Sequence, residues 1–229
     1  MNAKIKKQTE GKDFSFDSIV DFDTHISNSI LGYYDLNSII IKLSKRYVRE
    51  GSNTYDLGCS KGTLLHMIYL QQVSLNASYV GYDISENLLP KLANARLNYF
   101  KRDVTDPKLK LFNTNLVLSV FTLQFLNYEN RQALIERVYE SLNYNGAFIV
   151  AEKIIGDCGE SQDILSVTAR QFKRQNFTDD EILGKESKLQ SIMQPLTSDH
   201  NEDLFVTAGF RKVICIWQTL NFKAWILIK

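Results

Sequence analysis

The chain contains little cysteine and little proline. Its three cysteines, Cys59, Cys158 and Cys215, lie far apart and form no Cys-x-x-Cys pair. They therefore provide neither a disulfide framework nor a zinc site, and they indicate a reducing, cytoplasmic compartment. Three prolines in 229 residues, with no Gly/Ser-rich stretch, leave no evident interdomain linker. The sequence predicts one compact unit.

Long apolar runs and an excess of one charge are also absent. No apolar run approaches the roughly 18 residues of a membrane span, and the basic N-terminus lacks the apolar segment of a secretory signal. Lys and Arg number 27 against 26 Asp and Glu, a net charge of +1, so no global basic field indicates nucleic acid. We expect neither a membrane nor a nucleic-acid partner.

The hydrophobic pattern changes along the chain from helical to alternating segments. Residues before about 50 show helical spacing, and a polar helical insert is predicted over 160–193. A helix is also predicted to begin at Ser85, with that residue as its N-cap. The pattern predicts strands over 53–57, 78–82, 97–101, 115–120, 147–151, 213–217 and 224–228.

This alternation is typical of an α/β fold. It predicts a doubly wound, mostly parallel seven-stranded sheet of the Rossmann-like kind, whose last two strands form an antiparallel pair. Residues 1–50 would form an N-terminal helical cap, and residues 51–229 would form the ligand-binding domain.

A glycine bend and acidic side chains follow the first three predicted strands. The bend, Asp56-Leu-Gly-Cys-Ser-Lys-Gly62, lacks the three-glycine spacing with which a dinucleotide site approaches a pyrophosphate. Asp83 ends the second strand and Asp103 follows the third. Because ligands bind outside the carboxyl ends of parallel strands, these groups are expected to share one crevice.

The chemistry of these groups indicates an adenosyl ligand without a pyrophosphate. Gly58 lets the chain turn tightly against a ligand, and Asp56 is placed to receive an ammonium group. Asp83 is placed to accept the two ribose hydroxyls, and Asp103 to accept from the adenine amino group. S-adenosylmethionine (SAM) has all of these parts, whereas NAD does not. The alternative is that Asp83 and Asp103 only cap the segments that follow them.

The same residues resemble a known family. The glycine bend, Gly81-Tyr-Asp83 and the terminal hairpin resemble class I SAM-dependent methyltransferases. Over most of the chain, from about Phe16 onward, the sequence is more similar to the carboxy-S-adenosyl-L-methionine synthases (carboxy-SAM synthases). The segments that carry this resemblance are Ser29-Ile-Leu-Gly-Tyr33, Tyr55-Asp-Leu-Gly-Cys-Ser60, Phe121-Thr-Leu-Gln-Phe-Leu126, Arg131-Gln-Ala-Leu134 and Gln171-Phe-Lys-Arg174.

The resemblance implies a homodimeric enzyme that converts SAM and prephenate to carboxy-SAM and phenylpyruvate, for the modification of wobble uridine in tRNA. Two positions depart from the family: Val120 stands where the family has Asn, and Glu186 aligns with an Arg that holds the new carboxylate. The cofactor site that the resemblance implies is lined by Tyr33, Gly58, Cys59, Ser60, Asp83, Ile84, Asp103 and Val104, to which we add Asp56 and Val120.

Both departures fall at the ligand site, and the one at Glu186 has a direct electrostatic consequence. A carboxylate there would repel a ligand carboxylate, unless Lys185, Lys188 or Arg174 replaces the missing cation. We therefore predict a SAM-dependent methyltransferase of a small molecule. Carboxy-SAM synthesis is the alternative, and a non-catalytic paralogue that binds SAM or S-adenosylhomocysteine is the second alternative.

No catalytic residue can be named from the sequence. Methyl transfer requires alignment with an activated sulfonium rather than a triad or a metal, and no such motif occurs. The three histidines, His25, His66 and His200, are scattered. The candidate walls of the acceptor site are Tyr33, Phe121, Gln124 and Tyr128.

Overall fold

The computed structural model describes residues 22–229. The N-terminal tail and the first part of the predicted cap, residues 1–21, lie outside the described residues. Two helices precede the sheet, α1 (Phe22–Ser29) and α2 (Tyr33–Tyr47). Leu36 and Ile40, one turn apart on α2, are fully buried and pack in the same apolar cluster as two sheet residues, Leu118 and Ile149. The helical spacing predicted before residue 50 thus corresponds to a helix, α2, that covers one face of the sheet.

Seven strands form a single sheet in the order β3-β2-β1-β4-β5-β7-β6. The strands β1 to β5 run parallel to one another, and β7 runs antiparallel to both β5 and β6. The predicted doubly wound, mostly parallel seven-stranded sheet with an antiparallel terminal pair is confirmed. The strands are β1 (Asn53–Leu57), β2 (Ser78–Asp83), β3 (Leu97–Lys101), β4 (Thr114–Val120), β5 (Leu142–Lys153), β6 (Lys212–Thr219) and β7 (Phe222–Ile228).

Helices cover both faces of this sheet. On one face α2 packs with α3 (Thr63–Gln71), whose Leu65 and Ile68 are fully buried. On the other face α4 (Tyr128–Ser141) packs with α7 (Ser198–Thr207) in a second apolar cluster. The predicted insert consists of α5 (Gly159–Lys173) and α6 (Asp179–Gln190).

Two predicted details are wrong. No helix begins at Ser85. The segment between β2 and β3 forms turns instead, whose hydrogen bonds join residues three apart, such as Leu88 N to Ser85 O at 3.3 Å. Pro90 follows at once, lacks an N–H and disfavours helix in the residue before it. The strand predicted over 147–151 begins earlier, at Leu142, so residues 143–146 belong to β5, where the side-chain amide of Asn143 donates to Asn115 Oδ1 at 2.8 Å.

The strand order places a topological switch at β1. The chain builds outward from β1 through β2 to β3, and then crosses back to β4 on the other side of β1. Crevices form at the carboxyl ends of the strands at such a point. Within residues 22–229, no helix has both the length and the apolar character that crossing a membrane requires.

Candidate functional site

A cavity of about 920 Å³ opens at the carboxyl ends of β1, β2 and β4. Helices α1, α2, α5 and α6 also contribute side chains to its wall. The structure brings all ten residues of the predicted cofactor site to this cavity, namely Tyr33, Asp56, Gly58, Cys59, Ser60, Asp83, Ile84, Asp103, Val104 and Val120. That they bind a cofactor stays a prediction.

The glycine bend after β1 is held close to two other strand ends. The backbone N–H groups of Gly58 and Cys59 donate to Tyr82 O at 2.8 and 2.9 Å. Gly58 has a φ of 83°, and a Cβ atom there would lie 2.0 Å from Thr122 Oγ1, in the turn after β4. Only glycine satisfies both the conformation and the contact, so the residue brings these turns together at the cavity.

The carboxylate of Asp83 joins the glycine bend to the end of β2. Its Oδ2 accepts from Ser60 N at 2.8 Å, and its Oδ1 accepts from Ser85 N at 2.8 Å. Each carboxylate oxygen retains further acceptor capacity. Asp83 therefore caps the segment that follows it, as the alternative prediction proposes. It also presents acceptors to the cavity.

Asp103 is an exposed residue at the rim of the cavity. Its Oδ1 accepts from Thr105 N at 2.8 Å and from Thr105 Oγ1 at 2.7 Å. Within the described chain, Oδ2 receives no hydrogen bond. One oxygen thus fixes the turn after β3, and the other remains available to a ligand.

Asp56 is the most deeply buried carboxyl group of the cavity wall, with 3% of the residue exposed. Burial and the nearby charge of Asp83 raise its pKa to about 7. No group between residues 22 and 229 donates a hydrogen bond to it. A buried carboxyl group without a donor is unfavourable, and a cationic ligand group would bring the pKa back down.

Three other buried polar atoms of the cavity wall lack a hydrogen bond within the described part of the chain: Asn37 Oδ1, Ser60 Oγ and Asn221 Oδ1. Buried polar groups in native proteins are nearly always satisfied. Ser60 and Phe121 also adopt left-handed backbone conformations, with φ of 48° and 59°, and such strain concentrates at functional sites. These features indicate that the cavity holds a polar ligand.

An aromatic group forms the wall near the end of β4. The ring of Phe121 lies 6.4 Å from that of Tyr33 and 5.4 Å from that of Phe222. Gln124 also lines the cavity, and its Oε1 accepts from Lys153 N at 2.7 Å. Tyr128, the fourth predicted wall residue, does not line it, because it lies in the exposed first turn of α4.

The cavity wall also carries a cation cluster, which we define as Lys153, Arg170, Lys173 and Lys185. Glu186 lies among these cations and is already paired. Its Oε2 is 2.9 Å from both Nε and Nη2 of Arg170, and its Oε1 is 3.2 Å from Lys173 Nζ. The expectation that Glu186 repels a ligand carboxylate is therefore wrong, because two cations neutralise its charge.

Of the three predicted replacements for the missing cation, one lines the cavity and two do not. Lys185 lines the cavity, contacts His25 Nε2 and donates to Ser29 Oγ at 3.3 Å. Arg174 and Lys188 do not line it. Arg174 instead pairs with Asp179 on the surface, Nε to Oδ1, at 2.6 Å.

The pKa shifts reflect an excess of positive charge in the cation cluster. Burial, with the charges of Lys173 and Lys153, lowers the pKa of Lys185 to about 8. Burial and Lys173 likewise lower the pKa of Lys153. Although burial alone raises the pKa of Glu186, hydrogen bonds from Arg170 and Lys173 bring it below the ordinary value. An anionic ligand would relieve this repulsion.

Several residues of the cavity were not predicted from the sequence. Lys153 ends β5, so the rule that strand ends meet could have found it. Lys173 lies in a segment that carries the family resemblance, but no local pattern connects Arg170, Asn37 or Asn221 to the cavity. His66 and His200 do not line it, and residues 22–229 contain no group of three or more metal-ligating side chains.

Comparisons with known proteins add to this geometry. A family model described as a methyltransferase domain matches residues 55–148. The chain is 30% identical over 214 residues to the carboxy-SAM synthase of Staphylococcus epidermidis, covering 91% of this chain and 92% of that protein. It is 32% identical over 228 residues to the carboxy-SAM synthase of Shewanella oneidensis, covering 95% and 93%.

The fold also matches that of solved methyltransferases. Human N-acetylserotonin methyltransferase in complex with SAM aligns with a TM-score of 0.59 at 15% identity, over 91% of this chain and 55% of that chain.

Proposed function

Because this chain belongs to the carboxy-SAM synthases, which are SAM-dependent enzymes with the methyltransferase fold, we propose that it converts SAM and prephenate to carboxy-SAM and phenylpyruvate. In the balanced reaction, the ring carboxyl group of prephenate moves to the methyl carbon of SAM. The ring hydroxyl and one methyl proton leave as water. The observation that carries the proposal is that one cavity joins three acidic side chains to a cation cluster.

The acidic end of the cavity is suited to the polar groups of SAM. We assign Asp56 to the ammonium group, Asp83 to the ribose hydroxyls and Asp103 to the adenine amino group. Asp56 lacks a donor among the described residues, and Asp83 and Asp103 retain acceptor capacity beyond their turn contacts. When bound, SAM supplies a methyl group that its sulfonium activates.

The cationic end is suited to an anion. Four cationic side chains and one carboxylate, Glu186, line it, so its net charge is +3 when all are ionised. Such a cluster attracts and orients carboxylates. Prephenate carries two carboxylates, and carboxy-SAM gains one on the carbon beside the sulfur. Methyl transfer to a neutral acceptor would bring only one carboxylate, the methionyl carboxylate of SAM, to this charge.

We prefer carboxy-SAM synthesis to the methyl transfer predicted from the sequence. That prediction came from the departures at Val120 and Glu186, and the expected repulsion from Glu186 is offset because its two oxygens bind Arg170 and Lys173. We further propose, from the family resemblance, that the enzyme acts as a cytoplasmic homodimer and that its product serves the modification of wobble uridine in tRNA.

Turnover with labelled prephenate tests the proposal. The purified protein is incubated with SAM and prephenate that carries an isotope in its ring carboxyl group, and the products are separated by mass spectrometry. We expect labelled carboxy-SAM and phenylpyruvate in equal amounts, and neither when prephenate is omitted. Release of S-adenosylhomocysteine with an acceptor, and no carboxy-SAM, would indicate a methyltransferase instead. Binding without any turnover would indicate the non-catalytic paralogue.

A further inference from the structure

The cation cluster contains an ion pair that bridges the two helices of the insert. Arg170 belongs to α5 and Glu186 belongs to α6. Both Nε and Nη2 of the guanidinium lie 2.9 Å from Glu186 Oε2. The family resemblance implies an arginine at position 186, where this chain has Glu186. In this chain an arginine on the facing helix, Arg170, contacts that position instead.

Glu186 fixes the plane of this guanidinium without using all of its donors. A guanidinium carries five N–H groups in one rigid plane. Glu186 engages Nε and Nη2 of Arg170, whereas Nη1 has no hydrogen bond within the described chain. Arg170 lines the cavity, and 41% of its side chain is exposed. A planar donor with a fixed orientation therefore remains at the cavity wall for a second carboxylate.

The surrounding charges favour an anion at this place. Lys153 and Lys185 line the same wall, and neither forms an ion pair within residues 22–229. The one carboxylate of this wall, Glu186, also pairs with Lys173 at 3.2 Å. The wall therefore holds more cations than its own anion can neutralise, and a ligand carboxylate would complete the pairing.

We propose that Arg170, oriented by Glu186, supplies the guanidinium that binds the transferred carboxylate of carboxy-SAM. The inference rests on the proposed function and deepens it, because it names the residue that distinguishes carboxy-SAM from SAM. Arg170 is the binding residue in this assignment. Glu186 is a positioning residue that acts through Arg170.

Calorimetry with carboxy-SAM and with SAM tests the assignment. In R170Q we expect the affinity for carboxy-SAM to fall about 10- to 100-fold, the effect of a lost charge-assisted hydrogen bond. The affinity for SAM, which lacks the transferred carboxylate, should change less than about threefold on the same reasoning. R174Q is the matched control, because Arg174 lies one turn further along, at the C-cap of α5, and pairs with Asp179 away from the cavity. It should leave both affinities unchanged.

A charge exchange separates a binding role from a structural one. R170E places two carboxylates together and should abolish the preference for carboxy-SAM. The double variant R170E/E186R places the arginine on α6 and the glutamate on α5. It should restore the preference for carboxy-SAM to within about tenfold of the wild type. E186Q should lower it less than R170Q, because the guanidinium remains but loses its fixed orientation. Circular dichroism and thermal unfolding verify that each variant is folded.

The outcomes distinguish this inference from the proposed function. If the wild type prefers carboxy-SAM and R170Q keeps that preference, the assignment of Arg170 is wrong and the function stands. Equal loss of both affinities in R170Q would also overturn the assignment, since Arg170 would then bind the methionyl carboxylate that both ligands share. A wild type that shows no preference and forms no labelled carboxy-SAM would overturn the proposed function.

Discussion

Asp56 is the carboxyl group of the cavity whose ionisation changes between pH 6 and pH 7, below the range in which Lys185 titrates. Its pKa is raised from 3.8 to about 7 by burial and by Asp83, so the carboxyl group is mostly neutral at pH 6 and half ionised at pH 7. If it binds the ammonium group of SAM, affinity should rise about fivefold between these values, because only the ionised form attracts a cation.

The measurement is the dissociation constant of SAM from calorimetry across this pH range. Asp56→Asn, which has a similar shape and no charge, should bind SAM more weakly and show no such rise. A wild type with a flat profile would contradict the assignment of Asp56.

Asp83 should be indispensable for binding. Asp83→Ala removes the proposed ribose acceptor and releases the amides of Ser60 and Ser85, so we expect the affinity for SAM to fall more than about 100-fold. Asp106→Ala is the matched control, because Asp106 caps Lys108 N at 2.9 Å in a similar turn outside this cavity. Unchanged affinity in Asp83→Ala, measured by calorimetry, would remove the ribose assignment.

At the scale of single residues, the sequence predicted one side of the cavity well. Asp56, Asp83 and Asp103 follow consecutive parallel strands, and the geometry of a parallel sheet brings such positions together. Arg170 and Lys173 were not predictable in this way. They lie on a helix whose position against the sheet depends on tertiary packing, which the local pattern does not encode.

Among the elements, the glycine bend depends most strictly on one residue. Gly58 has a φ of 83° and leaves no space for a Cβ atom beside Thr122. Gly58→Ala should therefore lower the free energy of unfolding by about 1–3 kcal/mol and weaken SAM binding. Denaturation with urea and calorimetry measure the two effects.

Gly184→Ala is the opposite control. Gly184 lies inside α6, is exposed, and has no atom within 4 Å of a Cβ built there. Alanine should raise the free energy of unfolding by about 0.5–1 kcal/mol, because it restricts the unfolded chain and favours helix. Equal stability losses in the two variants would contradict the special role of the bend at Gly58.

Most helices and strands were predictable from local pattern, and the exceptions have local causes. The segment after Ser85 has a helical start signal, but Pro90 limits any helix there to about one turn. Helix α7 was not predicted, although Thr197 caps it by accepting from His200 N at 3.2 Å. Its first turns are polar, so the sequence shows no apolar periodicity before Leu204 and Phe205, the residues that pack in the core.

For the whole molecule, the order of strands and helices determined the location of the cavity but not its chemistry. The switch between β2 and β4 around β1 follows from the chain alternation. Methyl transfer was predicted from the departures at Val120 and Glu186, and the electrostatic argument from Glu186 no longer applies because α5 places two cations against that residue. Charges that face each other across helices must be read from the fold.

A crystal structure of the complex with carboxy-SAM would show both ends of the site at once. We expect the ribose hydroxyls to bind the Asp83 carboxylate and the transferred carboxylate to bind within the cation cluster, in hydrogen-bond contact with Arg170. A ribose distant from Asp83, a carboxylate directed into solvent, or no bound ligand at saturating concentration would contradict this expectation.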